Sequence, residues 1–291
     1  MKKKLLLTGA SGFVGSYFQN HYKDTYDIKT FSFLNEDFDK LELKNIYAIV
    51  HLSALVHQMG GASKEEYERV NVTQSLKLAQ KAKQHGVKHF IFMSSVKVYG
   101  EETTGVYSET SECLAEDEYG KSKLKAEDEL LKLEEENFLI SIVRTPIVYG
   151  FGVKANIANL IKIVSKMYVL PFGDIYNKRS MVYVGNLSYL LSRIIDKKLN
   201  GVFLASDEKT LSTKEFIQLI AKTLHKKIYL IQVPLFARTL RIIKPSFYKR
   251  LYQSLEIQNK VTIQKLFDED NLPLPYSVED GIKYMIKGGD E

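Results

Sequence analysis

A chain of 291 residues with 45% hydrophobic and 26% charged residues has an ordinary globular composition and can bury one large core or two modest ones. Its single cysteine, Cys113, excludes an intramolecular disulfide and suits a reducing cytoplasm, and no apolar run reaches the roughly 18 residues that span a bilayer. The formal charge of +6 is spread along the chain and is densest from Arg238 to Arg250, which reads as an amphipathic helix with a solvated face.

Lys2 to Lys4 precede only Leu5 to Leu7 before a glycine turn, too short an apolar stretch for a signal peptide. A cytoplasmic protein is expected, with no nucleic-acid partner, no transmembrane segment and no metal site. In chain order, Leu5 to Leu7 predict a buried strand, Gly9, Gly12 and Gly15 a tight turn, and Phe13, Val14, Tyr17 and Phe18 a helix. Gly9 permits the turn, Gly12 leaves room for a pyrophosphate, and Gly15 lets the helix pack on the strand. The helix N-terminus supplies amide donors and partial positive charge.

Tyr26 to Phe33 reads as a second strand. Its end carries no carboxylate until Glu36, so the ribose contact that favours NAD over NADP is weakened and the cofactor stays open. The stretch before the next strand, Tyr47 to Leu52, is too short for a full helix and another strand, so this flank of the sheet is expected to be abbreviated. Ser53 and Ala54 then form a small-residue turn at a strand's carboxyl end, where a cofactor can approach backbone, and His57 could face a substrate. Ser63 to Gln84 has helical spacing interrupted by Asn71, and Val87 to Met93 is a strand ending in Ser94 and Ser95.

Glu101 to Glu118 reads as a polar loop over a site, and Tyr119 opens a helix to about Glu136. Tyr119 and Lys123 lie one helical turn apart on one face, so an ammonium there would lower the phenol's pKa. With Ser95 in reach, the three make a proton-transfer set.

These pieces, in this order, resemble the extended short-chain dehydrogenase/reductase family of nucleotide-sugar epimerases, dehydratases and reductases. The resemblance rests on Thr8 to Gly15, His51 to Ala54, Asn71-Val72, Ser94 to Gly100, Tyr119 to Lys123 and Arg144 to Gly150. It continues more sparsely through Val153 to Asn156, Arg179 to Leu187, and Asn271 to Pro275 with the helix after it.

It implies an α/β fold, a Rossmann-like doubly wound parallel sheet with a smaller C-terminal substrate-binding lobe. Residues 1–151 and 181–206 would form the dinucleotide-binding domain, and 152–180 and 207–291 the lobe. Tyr119 would be the acid/base, Lys123 its partner and a ribose ligand, and Ser95 a donor to the reacting oxygen. The NAD or NADP contacts would come from Gly9, Ser11, Gly12, Phe13, Val14, Gly15, Ser53, Ala54 and Asn71, joined by Tyr119 and Lys123. Asn156 and Arg179 would grip the diphosphate of a UDP-sugar.

Ile147 and Phe151 depart from the family's usual asparagine and proline, which puts the local loop geometry in question. Val96-Lys97 stand where dehydratases carry Asp-Glu, which argues against that reaction. The reading that ranks first is a reductase of a UDP-4-keto-6-deoxy-N-acetylhexosamine in surface polysaccharide synthesis. A UDP-hexose 4-epimerase ranks close behind, and a non-catalytic dinucleotide-binding regulator is the rival from another class. A homodimer through the Ser63 to Gln84 and Tyr119 to Glu136 helices is a further expectation.

Overall fold

In the computed structural model, which describes residues 2–56, 62–103, 105–267 and 274–289, β1 (Lys4–Thr8) buries Leu5, Leu6 and Leu7 completely. A strand covered on both faces needs a continuous apolar run rather than an alternating one. The chain passes through Gly9 into α1 (Phe13–Tyr22) and returns as β2 (Asp27–Phe31), parallel to β1, with Leu5 opposite Ile28. β3 (Ala48–His51) lies on the other side of β1, with Leu5 opposite Ala48. The connections out of β1 and β3 lead to opposite sides, toward β2 and β4, so a crevice opens at the carboxyl ends of β1 and β3, where ligands bind in such sheets.

A reciprocal cap between Ser63 and Glu66 starts α2 (Lys64–Tyr67), which widens into a π-helical turn at Glu68–Thr73 and continues as α3 (Gln74–Gln84). β4 (His89–Ser95) ends in a single 3₁₀ turn, Val96–Tyr99, and α4 (Glu118–Leu131) starts at Asp117. β5 (Leu139–Thr145) is followed by β6 (Ile147–Tyr149), α5 (Ala155–Lys166) and β7 (Val169–Leu170). β8 (Met181–Tyr183) and α6 (Val184–Lys197) then lead back to β9 (Gly201–Leu204). The remaining elements are α7 (Thr213–Thr223), β10 (Tyr229–Leu230), α8 (Phe236–Ile243), α9 (Pro245–Tyr252), α10 (Lys260–Phe267) and α11 (Val278–Lys287).

The central sheet runs β2–β1–β3–β4–β5–β9, all parallel, and among the described residues no strand lies outside β2. The expected shortening of that flank is present. Alternate residues serve opposite cores: Leu5 and Leu7 pack with Phe18, Leu187 and Phe203, while Leu6 packs with Leu78, Phe90, Ala126 and Leu130. A third core, around Tyr149, Val164, Phe216, Ile217 and Ile282, belongs to the lobe. After residue 206 the chain is not confined there, because Leu266 and Phe267 of α10 join the Phe203 core.

The segment from Glu101 to Asp117 is stitched to the lobe, its Thr103 and Tyr107 amides donating to the Ser254 and Glu256 carbonyls. The outward sides of α3 and α4, where a dimer was expected, display Lys77, Gln80, Lys121, Lys125 and Asp128.

Candidate active site

The glycine turn is built by close approach. Gly9 sits at φ +71°, and a Cβ there would come within 2.8 Å of the Ser53 nitrogen. The Gly12 amide donates to the Gly9 carbonyl at 2.9 Å, and no side chain caps α1, so its first amides face the open side. A Cβ at Gly12 would meet only the Gly9 carbonyl, at 3.1 Å, and nothing else within 4 Å. Backbone donors beside empty space fit a pyrophosphate. Ser11 is exposed at this turn, while the Phe13 and Val14 side chains pack into the lobe core, leaving their backbone to face a ligand.

Beyond β2 the chain folds back, and the Ser32 amide donates to a Glu36 carboxylate oxygen at 2.8 Å. Glu36 therefore stands at the end of β2 although it lies five residues past Phe31 in sequence. The carboxylate missing from the strand end is restored by this fold-back. Strand periodicity gave no sign of it; a turn signal around Asn35 would have been the clue.

A buried relay ties the turn to the catalytic helix. Ser75 donates its hydroxyl to the Asn71 carbonyl at 2.8 Å and so accepts from His51 Nε2, also at 2.8 Å. His51 Nδ1 then accepts from the Thr8 hydroxyl at 2.7 Å, and Thr8 Oγ1 accepts from the Ser53 amide at 3.2 Å. Burial, helped by the Lys123 charge, pulls His51 down to about 3, so this imidazole is a neutral strut. Asn71 holds Leu55 at both ends, accepting from its amide at 2.8 Å and donating to its carbonyl at 3.0 Å, and donates to Ser122 Oγ at 3.0 Å. The Asn71 side chain is thus spent on protein groups, and it fixes the Ser53–Leu55 segment beside Tyr119. The π-helical turn lets it reach them.

α4 carries the expected proton-transfer residues Tyr119 and Lys123. It can lie against the 3₁₀ turn only because Gly120 has no side chain; a Cβ there would come within 2.7 Å of the Lys97 carbonyl. Tyr119 is thereby set near Ser95, whose own hydroxyl accepts from the Lys97 amide at 3.2 Å. Lys123 is buried, donates to the Met93 carbonyl at 2.8 Å, and stands 4.4 Å from the centre of the Phe92 ring.

The expected direction of the phenol's shift is reversed in the protein by itself. Burial pushes Tyr119 up to about 12, with Asp117 and Tyr67 adding to the rise and the Ser95 hydroxyl opposing it. Burial also pulls Lys123 down to about 7 against the charge of Glu127. Desolvation outweighs a cation that is itself half discharged near neutrality.

One turn beyond Lys123, Glu127 is fully buried and forms a two-pronged ion pair with Arg144, 2.6 Å at the closest approach, while accepting from Ser94 Oγ. Arg144 also donates to the Tyr99 hydroxyl at 2.7 Å. Burial works against the Arg144 charge, but the Glu127 bonds and charge outweigh it and hold the guanidinium above its ordinary pKa. Sequence reading passed over Glu127. Its one-turn spacing after Tyr119 and Lys123 was the available signal.

The lobe supplies a second wall. A cavity of about 230 Å³ is lined by Asn156, Arg179 and Arg250 among apolar side chains that include Ile157, Leu160 and Phe216. Arg179 donates to the Arg250 carbonyl, and Arg250 Nη1 donates to Asn156 Oδ1 at 2.8 Å. Burial lowers the Arg179 pKa, opposed by the charge of Glu101 from the loop after β4. Arg250, read from the sequence as part of a solvated basic face, joins the predicted pair. His57 and Asn271 to Pro273 lie outside the described residues.

Where lobe and sheet meet, buried Asp207 accepts from the Tyr149 hydroxyl and Asn186 Nδ2, each at 2.7 Å, and from the Tyr183 amide at 3.1 Å. Burial raises its pKa against these bonds.

The model of the NAD dependent epimerase/dehydratase family matches residues 5–203. A Vibrio cholerae protein named UDP-glucose 4-epimerase is 37% identical, over 90% of this chain and 86% of its own. An Escherichia coli O157:H7 protein, N-acetyl-alpha-D-glucosaminyl-diphospho-ditrans,octacis-undecaprenol 4-epimerase, is 28% identical over 80% of this chain and 76% of its own. Among solved structures, UDP-N-acetylglucosamine 4-epimerase from Methanobrevibacter ruminantium superposes with a TM-score of 0.78 at 21% identity, covering 99% of this chain and 98% of that one.

Proposed function

The chain belongs to the NAD dependent epimerase/dehydratase family, and from that premise we propose that it inverts C4 of a UDP-linked hexose. It is an NAD(P)-dependent enzyme of the extended short-chain dehydrogenase/reductase type. The observation that carries the reading is the hydrogen bond of Tyr119 to Ser95 at the carboxyl end of β4, with buried Lys123 one helical turn along α4, alongside the open glycine turn. The sequence alone ranks a 4-keto reductase first; the names of the curated relatives favour the epimerase.

Bound dinucleotide supplies a hydride acceptor and donor. Tyr119 would take the proton of the sugar's C4 hydroxyl and later return it, while the Ser95 hydroxyl donates to the same oxygen. Left alone the protein keeps Tyr119 protonated, so its phenolate depends on positive charge entering with the ligands and on Lys123 holding its proton. Arg179 and Arg250 would take the diphosphate, a role suited to planar guanidiniums. Residues 152–180 and the lobe-facing part of 207–291 would bind the sugar nucleotide.

Glu36, at the end of β2, would hold the adenosine ribose and repel a 2′-phosphate, so we assign NAD as the cofactor. Glu36→Ser is expected to narrow the preference for NAD over NADP, read as the ratio of dissociation constants by fluorescence titration. A reducing cytoplasm suits Cys113, and no helix among the described residues is long and apolar enough to cross a membrane.

The test is to incubate purified protein with UDP-glucose and UDP-N-acetylglucosamine and resolve the C4 epimers. Epimer without added reduced cofactor, from protein that releases NAD on denaturation, is the expected result. Oxidation of NADH or NADPH in proportion to a UDP-4-keto-6-deoxy sugar, with no epimer, would replace this reading with the reductase.

A second reading keeps the chemistry and changes the carrier. The cavity is walled largely by apolar side chains with cationic groups only at Arg179 and Arg250, which also suits a polyprenyl diphosphate. The E. coli relative's name specifies such a lipid-linked sugar. Epimerisation of the polyprenyl-diphosphate sugar with none of the UDP-sugar would select this carrier.

A further inference from the structure

α8 turns Phe236 and Leu240 toward the lobe core and leaves the opposite side uncovered. Ile242 is 74% exposed on that side, and Leu235, just before the helix, and Ile243, at its last turn, are each 69% exposed. Arg238 and Arg241 are exposed along the same helix, and exposed Lys244 follows its last turn. Single exposed isoleucines are ordinary, but three large aliphatic side chains exposed among cations within one short segment are not.

The ribbon that leads into α8 repeats the pattern. Tyr229 of β10 lies opposite Val169 of β7, so the two side chains share a face, and Ile231 falls on that face two residues on. These three are 52%, 46% and 47% exposed. Lys226 stands 4.2 Å from the centre of the Tyr168 ring, and Lys227 stands 5.4 Å from that of Tyr229. From Phe216 to Leu255 the sequence contains no aspartate or glutamate at all.

We propose that α8 and the β7–β10 ribbon dock this protein on an anionic phospholipid bilayer, with the isoleucines in the headgroup–acyl boundary and the cations among the phosphates. Lysine and arginine beside exposed aliphatic and aromatic side chains are the composition of an interfacial helix. A nucleic acid would satisfy the cations but leave the exposed isoleucines in water. A second copy would cover the isoleucines, but two-fold pairing would set Arg238 and Arg241 against the same cations with no carboxylate in the segment to meet them.

The proposal goes beyond the reaction and holds for either carrier. α9, which follows α8 at Lys244, lines the lobe cavity with Phe247, Arg250 and Leu251, so docking would bring that cavity close to the lipid surface.

Full-length protein is sedimented with vesicles of phosphatidylcholine, with and without phosphatidylglycerol, at low and high salt. Binding is expected to need phosphatidylglycerol, to weaken with salt, and to fall roughly fivefold for each cation removed in Arg238→Ala and Arg241→Ala. The double variant Ile242→Glu/Ile243→Glu should lose vesicle binding while keeping the parent's unfolding midpoint and its vesicle-free turnover of a soluble substrate. Those isoleucines are exposed and do not line the cavity.

Equal binding to both vesicle types, no binding to either, or a double variant that binds as the parent does would overturn the proposal. So would a concentration-dependent dimer that the double variant dissolves, which would assign the face to a second copy. Intact vesicle binding by a protein that epimerises nothing would overturn the proposed reaction and leave the docking surface standing.

Discussion

The two walls of the site are held by different forces. At the sheet end, Tyr119, Lys123 and Glu127 project from α4 at one-turn intervals, and the helix is locked by the Glu127–Arg144 pair, which has almost no solvent access. At the lobe, Arg179 and Arg250 are set through a carbonyl and a side-chain amide, and where lobe and sheet meet an aspartate is met by neutral donors. A buried charge pair tolerates little displacement, because separating it strands two ions in a poor dielectric. Single hydrogen bonds from a guanidinium to neutral acceptors can shift at lower cost than a buried ion pair. The first wall therefore suits chemistry that needs fixed geometry, and the second suits a substrate group that varies among relatives.

The comparison can be broken by substitutions that should separate along this line. The largest effect is expected from Tyr119→Phe, which removes the proton carrier and leaves the ring. Turnover should fall about 10²- to 10⁴-fold with dinucleotide affinity unchanged by titration, and unaltered turnover would remove Tyr119 from its role.

Next in size, Glu127→Gln leaves Arg144 charged and buried without its partner. A loss of about 3–5 kcal/mol in denaturant unfolding is expected, and a loss below about 1 kcal/mol would show that the pair is not what fixes α4. Arg250→Ala on the other wall should raise KM roughly tenfold with kcat and the unfolding midpoint nearly unchanged, as for one charge-assisted bond lost. An equal fall in kcat would erase the distinction between the walls.

The subtlest test concerns pH. The folded state holds Lys123 at about 7 against 10.5 for a free lysine, so between those values the unfolded chain binds the extra proton. Stability should therefore rise as pH climbs through that window, and the rise should be missing in Lys123→Met. Urea midpoints at neutral and mildly alkaline pH measure it. Parallel slopes in parent and variant would mean that Lys123 titrates as it does in water.

Much of the first wall was legible because its signals are local. Leu5 to Leu7 read as a covered strand, the glycines as a turn, and Tyr119 and Lys123 share a face of an α-helix. Glu127 follows the same rule and was readable in principle. The second wall was harder to read because Asn156, Arg179 and Arg250 come from α5, the segment before β8, and α9, and only packing brings them together. Arg250 in particular has the same sequence signature as its solvated neighbours Lys249 and Arg241.

By itself, then, the sequence determined the parallel sheet, its shortened flank, the open glycine turn and the shared face of Tyr119 and Lys123, since each follows from spacing within one strand, turn or helix. Tertiary structure decided the rest. It brought Glu36 back to the end of β2, tied Asn71 to Leu55 and Ser122, and left the isoleucines of α8 exposed. It also reversed the phenol's expected shift, because a pKa depends on how much water the fold removes from around a group, and that quantity is written in no local pattern.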